Sequence, residues 1–203
     1  MSKAKIHMLF PTPVFECHIN DYKEINLDLT KYIHELRERD NKGLKLSNQR
    51  GWHSNYFEIA KVDVLKKFVS KIYPFLFEIT KERFGWDVTP EKIRIAAMWS
   101  IINNKGSHNT RHFHPNCHLS AAYYVKAREK CGNIKFFDPT DQKLMQSPTR
   151  KKRTVLSAEH ASFTPAEGDL LIFPSYLHHA VGENLSEEER IVISFNIQIL
   201  SNI

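Results

Sequence analysis

The sequence predicts a mainly β domain with helices confined to its N-terminal part, an α+β arrangement in which a sheet packs on helices and folds over into a sandwich or barrel. Two changes along the chain predict it. Over residues 22–39 the apolar positions Ile25, Leu29, Tyr32, Ile33 and Leu36 recur at helical spacing, and over 62–84 Val64, Leu65, Phe68, Val69, Ile72, Phe75, Leu76 and Ile79 do the same. Past Glu91 the pattern turns to short β-rich runs at 93–103, 118–125, 132–137, 161–164, 170–173 and 190–200. Turn-forming clusters separate them: Asn104-Lys105-Gly106, Asp138-Pro139, Pro165-Ala166-Glu167-Gly168 and Pro174-Ser175. Among folded-over sheets the jelly roll is the common ligand-holding form.

The first helix is expected to run uninterrupted. The second carries Pro74, which lacks an amide hydrogen and is expected to kink or break it. A chain of 203 residues suits one domain, and no repeat or low-complexity linker divides it. The change of period near residue 93 separates a helical part, 1–92, from a jelly-roll core, 93–203.

Composition narrows the function classes. No run of about 18 apolar residues is present and the first apolar stretch is too short for a signal peptide, so no membrane contact is expected and a cytoplasmic location is. Cys17, Cys117 and Cys131 are odd in number and widely spaced, which suits neither a disulfide framework nor a cysteine zinc site. The net charge of +6 is spread along the chain except at Arg150-Lys151-Lys152-Arg153. A short basic run without interleaved aromatics reads as a solvated loop, and nucleic acid is not the favoured partner.

Histidine is the more informative residue, clustering between residues 108 and 118 and at His178-His179. The segment Asn109-Thr110-Arg111-His112-Phe113-His114-Pro115 opens a strand expected to run on to Tyr124. Alternate residues of a strand share a face, so His112 and His114 would point together into a barrel mouth and Phe113 away. Imidazole suits iron, copper, nickel or zinc, and sites with three protein ligands leave positions open. Alone, His-x-His equally describes surface or hydrogen-bonded histidines. His179 can supply a third ligand, because a jelly roll brings sequence-distant strands together. Arg190 then opens the last strand with a rigid fork matched to a carboxylate; the competing reading pairs it with Glu187-Glu188-Glu189 in the preceding turn.

Together these segments resemble the 2-oxoglutarate/Fe(II) oxygenase-like proteins of bacteria and their phages. Leu9-Phe10-Pro11-Thr12-Pro13-Val14 resembles their opening and Ser47-Asn48-Gln49-Arg50-Gly51-Trp52-His53-Ser54 an N-terminal signature; Trp99 to His114 contains their His-x-His-Pro segment. Leu119 to Tyr124, Phe136-Phe137-Asp138-Pro139, Phe173 to Val181 and Arg190 to Asn196 fit as well. The resemblance implies a double-stranded β-helix, cupin-like, binding Fe(II) and 2-oxoglutarate. It further implies a dioxygenase that uses O2 to hydroxylate a substrate the sequence does not name, with release of succinate and CO2. In the wider superfamily the distal histidine stands two residues before a valine, which picks His179 over His178.

The implied metal ligands are His112, His114 and His179, and the implied grip on 2-oxoglutarate is Arg190. One departure matters: the superfamily usually carries Asp or Glu where this chain has His114. Three readings follow, namely a three-histidine site, a site of His112 and His179 completed by Asp138 or water, and a site with His114 as first ligand. The first is preferred, and its neutral third ligand implies weaker retention of Fe(II) than a carboxylate would give.

Tyr124 can donate to the carboxylate that Arg190 holds, or serve as a core aromatic. Ser194 and Asn196 share the face of Arg190 by the period of two and are expected to line the same pocket. Trp52, His53, Trp99 and Asn103 are candidates for the substrate entrance, although large aromatics more often fill the core. His108 and His118 are expected outside the site, and Asp169 in turn hydrogen bonds. The segment 139–157 is long enough for a lid that carries the basic run to the rim. The alternatives are a jelly-roll metal- or ligand-binding module without turnover, a nucleic-acid-binding accessory protein, and a three-histidine dioxygenase that uses no 2-oxoglutarate.

Overall fold

The computed structural model describes residues 4–140 and 148–200. Two antiparallel sheets form its body. The larger has the order β1-β9-β6-β11-β4-β3 and the smaller β2-β5-β10-β7-β8. The strands are β1 Phe15–His18, β2 Asn48–Gln49, β3 Trp52–His53, β4 Ile93–Asn103, β5 His108–His112, β6 Leu119–Lys126, β7 Ile134–Phe137, β8 His160–Phe163, β9 Asp169–Pro174, β10 His179–Val181 and β11 Arg190–Ile199. Helices α1 (Tyr22–Arg39) and α2 (Asp63–Glu78) cover the outer face of the larger sheet.

Alternation along the central strands sorts side chains between two environments. On β11, Ile191, Ile193, Phe195 and Ile197 pack outward with Ile25, Leu29, Ile33, Leu65, Phe68, Ile72 and Leu76 of the helices. Arg190, Val192, Ser194 and Asn196 of the same strand face inward and line a cavity between the sheets. The split repeats on β6, where Tyr123 and Val125 join the helical core and Ala122 and Tyr124 an inner cluster with Leu171, Phe173, Ile134, Phe136 and Leu177. Both faces of β6 and β9 are covered, which is why they read as continuous apolar runs rather than alternating ones.

Four features depart from the sequence reading. Residues 1–92 are not purely helical: β1 closes one edge of the larger sheet by pairing with β9, β3 closes the other on β4, and β2 pairs with β5 in the smaller sheet. Strands of two to four residues carry too little periodicity to register. The strand expected from Asn109 to Tyr124 is two strands in different sheets, broken where Pro115 lacks an amide hydrogen and Asn116 takes a left-handed φ of 62°. Helix α2 continues through Pro74 to Glu78 and ends in a π-helical turn, Ile79–Arg83. The short β10, which begins at His179, is not among the expected β-rich runs. No helix among the described residues is long and apolar enough to cross a membrane, and the three cysteines are free.

A buried polar link ties helix to sheet. Tyr123 Oη donates to Asn26 Oδ1 at 2.7 Å, and Asn26 Nδ2 donates to the Val125 carbonyl at 2.7 Å. The Tyr123→Phe variant should lose about 1–3 kcal/mol of unfolding free energy, because it strands the buried Asn26 oxygen. Urea denaturation with an unchanged m-value checks this.

Candidate functional site

The site begins with strand register. His112 closes β5 and His179 opens β10, and their Cα atoms are direct partners in the antiparallel ladder. Their ring centroids lie 4.3 Å apart. His114 follows β5 by two residues, in the turn that carries the chain toward β6. Its backbone amide donates to the Ser175 carbonyl at 3.0 Å, which holds the turn against the end of β9. The His114 ring stands 5.2 Å from each of the other two and is nearly parallel to His179 at 19°. One nitrogen from each of the three residues lies within 4.8 Å of the others, a spacing that can hold a metal ion.

Tautomers follow from the outer contacts. His112 Nδ1 sits 2.7 Å from the Thr110 carbonyl and His179 Nδ1 3.0 Å from the Leu177 carbonyl. A carbonyl only accepts, so both Nδ1 atoms carry the proton and both Nε2 atoms keep a lone pair. Burial, reinforced by the neighbouring imidazoles, pushes His179 down to about 3 and His114 down to about 4. Burial lowers His112 as well. All three rings are therefore neutral near pH 7, the form a metal requires.

The same cavity, about 600 Å³, is lined by Arg190, Tyr124, Ser194 and Asn196. Arg190 is 1% exposed. Its Nη1 donates to the carbonyls of Cys131 (2.5 Å) and Gly132 (3.1 Å), while Nε has no hydrogen-bond partner. No carboxylate among the described residues pairs with it. Glu187, Glu188 and Glu189 are engaged elsewhere, with Lys105, with Lys126 and Arg128, and with His34 and Lys126. The reading that paired Arg190 with that acidic turn is overturned: Arg190 begins β11 facing inward and the turn faces out. Burial pulls the guanidinium below its ordinary value, and burial also raises the Tyr124 phenol, with Arg190 opposing that rise. Ser120 Oγ donates to Asn196 Oδ1 at 2.9 Å, and Ser194 lies between Val192 and Asn196 on the cavity face.

Other expected residues separate cleanly. His53, Trp99 and Asn103 line the cavity, whereas Trp52 lies in the core with Nε1 donating to the Asp40 carbonyl at 2.7 Å. Phe113, expected to turn away, lines the exposed end of the cavity and packs on His178 at 4.9 Å, because the chain has already left the strand. His178 does not line the cavity, nor do His108 and His118; His118 Nδ1 accepts from the Ile199 amide at 3.1 Å. Asp138 does not line it either, and its Oδ1 accepts from the Thr140 amide at 2.8 Å. Asp169 makes the expected turn bond, accepting from the Ala166 amide at 2.7 Å, and pairs with His18. Residues 141–147 of the expected lid lie outside the described residues; Arg150 to Arg153 do not line the cavity, and Arg150 is engaged by Glu159. Leu46, Ser47, Tyr56 and Asn109 also line it. They stand in loops or short strands without a periodic signal.

Residues 97–196 match the family described as "Putative 2OG-Fe(II) oxygenase". The match spans 100 of the 203 residues, just under half of the chain, and the description of the family it resembles names Fe(II) and 2-oxoglutarate. Solved structures agree in fold. A Pseudomonas putida prolyl-4-hydroxylase is similar with a TM-score of 0.66 and 11% identity, over 94% of each chain. The epimerase SnoN of nogalamycin biosynthesis, in complex with Fe3+, alpha ketoglutarate and nogalamycin RO, gives 0.66 and 10% over 93% of this chain and 79% of its own. HygX from Streptomyces hygroscopicus, with nickel, 2-oxoglutarate and hygromycin B bound, gives 0.61 and 12% over 93% and 83%. No curated protein matches in sequence.

The backbone that receives the Arg190 head admits no side chain. Gly132 has φ +92°, and a Cβ there would stand 2.2 Å from the Gly182 carbonyl oxygen and 2.8 Å from Arg190 Nη1. Gly132→Ala should lower stability by at least about 1–2 kcal/mol from its left-handed backbone alone and, if Arg190 holds 2-oxoglutarate, should weaken its binding by displacing the guanidinium. Thermal denaturation with and without 2-oxoglutarate checks both effects; an unaltered ligand-induced rise in Tm contradicts the second.

Proposed function

We propose that this protein is an Fe(II)- and 2-oxoglutarate-dependent dioxygenase that hydroxylates an organic substrate, with His112, His114 and His179 as the metal ligands and Arg190 as the anchor of the far carboxylate. The observation that carries this reading is the guanidinium buried in the wall of the cavity that three neutral imidazoles enter. A buried cation without an anion is costly, and a dianionic co-substrate chelating a metal at the triad would supply the missing charge.

The donor set fits both groups. Three imidazole nitrogens leave further positions of a six-coordinate ion open, and nitrogen donors suit Fe(II). Asn196, Ser194 and Tyr124 line the cavity with Arg190 and offer hydroxyl and amide groups to the same ligand. When bound, Fe(II) and 2-oxoglutarate supply the oxidising chemistry, in which one O2 is consumed, 2-oxoglutarate becomes succinate and CO2, and a C–H bond becomes C–OH. The chain's own contribution is placement. The Thr110 and Leu177 carbonyls hold two rings in the ligating tautomer, the fork of Arg190 sets the diacid's direction, and the inner apolar cluster of Phe136, Phe173 and Leu177 keeps water from the rear of the site.

Two experiments test the assignment. Arg190→Ala should abolish succinate formation and weaken 2-oxoglutarate by about 2–5 kcal/mol while leaving Fe(II) affinity within a few-fold; anaerobic titration calorimetry and succinate assay report both, and unaltered turnover refutes the role. His112→Ala and His179→Ala should each lose measurable metal binding. His178→Ala, outside the cavity, should bind as wild type, and equal losses at His178 and His179 would contradict the ligand set.

A further inference from the structure

A fourth imidazole borders the cavity and serves neither the histidine triad nor the carboxylate anchor. His53, at the end of β3, is 2% exposed. Its ring lies almost parallel to the Trp99 indole, with centroids 5.7 Å apart and 12° between planes, and Tyr56 stands edge-on to the same indole at 5.9 Å. The Trp99 ring is also 5.6 Å from His114, so this aromatic wall begins beside the triad. Leu46 and Phe113, both exposed, complete the open end.

The chemistry of that wall is specific. His53 Nδ1 lies 2.7 Å from the Ser54 carbonyl, which can only accept, so Nδ1 carries the proton and Nε2 of the neutral ring keeps a lone pair. Nε2 has no hydrogen-bond partner among the described residues and is not among the atoms sealed inside protein. It also lies outside the group of nitrogens close enough to share a metal. No Asp, Glu or Lys is found among the described lining residues, and Arg190 is the one charged side chain there. A cationic substrate would meet no counter-charge, and an anionic one would compete for the arginine that the co-substrate requires.

We propose that His53 is a specificity-determining residue, whose Nε2 accepts a hydrogen bond from an uncharged ring that lies against the His53–Trp99 stack. The substrate class is then a neutral ring bearing an O–H or N–H donor, either free or as a side chain. Such a site rejects a close analogue lacking the donor, since the acceptor, once covered by the bound ring, is left without a partner. The assignment rests on the dioxygenase reading, because it takes the triad and Arg190 to be occupied by metal and co-substrate.

The test uses the full chain loaded with Ni(II) and 2-oxoglutarate under argon, with phenol, anisole, benzylammonium and N-acetyl-tyrosinamide titrated by ligand-observed NMR. Phenol should bind roughly three- to tenfold more tightly than anisole, the range expected of one net hydrogen bond, and benzylammonium more weakly than phenol. His53→Phe, which keeps the stacked ring, should bind phenol and anisole alike; His53→Gln, which offers a carbonyl acceptor, should regain part of the preference. Tighter binding of N-acetyl-tyrosinamide than phenol supports a polypeptide side chain, and weaker binding supports a free small molecule. Equal affinity for phenol and anisole in the wild type overturns the proposal, as does a preference that survives in His53→Phe, tighter binding of benzylammonium, or no ring binding in a fully loaded protein. Failure of Ni(II) and 2-oxoglutarate to load at all would instead overturn the dioxygenase reading, and this assignment with it.

Discussion

A guanidinium held inside the protein with no carboxylate partner among the described residues is the constraint from which the rest of the site can be understood. Arg190 is fixed by two carbonyls, from Cys131 and Gly132, which orient it without neutralising it. Both carbonyls belong to the turn before β7, and that turn can approach because Gly132 has no side chain to strike Gly182 or the arginine. The nearby acids of the 187–189 turn are held outward by lysine, arginine and histidine partners. Protein contacts therefore aim the fork and leave its charge for a ligand. This is a destabilising arrangement for a fold alone and an effective one for recognising a carboxylate.

The second constraint is register. His112 and His179 meet because antiparallel β5 and β10 pair them directly, so a slip of one residue in either strand would turn one imidazole to the opposite face. Register is protected on the far side of β10 as well, where β7 pairs Phe136 with His179 and Ile134 with Val181. Phe136 and Phe173 then pack on the His179 ring, at 6.0 and 4.9 Å. Packing, ladder and tautomer thus act on the same ring. In the larger sheet, the alternation of β11 directs isoleucines and Phe195 to the helices and Arg190, Ser194 and Asn196 to the cavity.

Periodic features were legible in the sequence and singular ones were not. Helix α1 and strand β4 match their expected spans, because 11 to 18 residues of unbroken period leave little freedom in placing the ends. The histidine triad and the cavity-facing residues of β11 were legible from spacing combined with family resemblance. The break between β5 and β6 was not anticipated, although Pro115 and Asn116 mark it, because the apolar residues on either side suggested one strand. Phe113 was accordingly placed on the wrong side. Trp52 and Trp99 could not be told apart by type: one donates to the Asp40 carbonyl inside the core and the other walls the cavity, a difference decided by which strand each pairs with. Tyr56, Leu46 and Asn109 reach the cavity only through tertiary packing.

The substitution of histidine for the usual carboxylate at position 114 has an electrostatic consequence for the proposed chemistry. With three neutral imidazoles a divalent ion keeps its full charge of about +2, where a carboxylate ligand would leave about +1. Arg190 adds a further positive charge, and no acidic side chain among the described residues lines the cavity. Metal and arginine therefore disfavour one another until a dianion enters, and the dianion is attracted by both. Binding of metal and co-substrate is then strongly linked, each raising the affinity of the other by the same factor. A carboxylate-ligated site can hold its ion before the diacid arrives. On the proposed ligand set, stable occupancy of the triad would depend on the co-substrate oriented by Arg190, and the buried arginine would then govern metal retention as well as the recognition of 2-oxoglutarate.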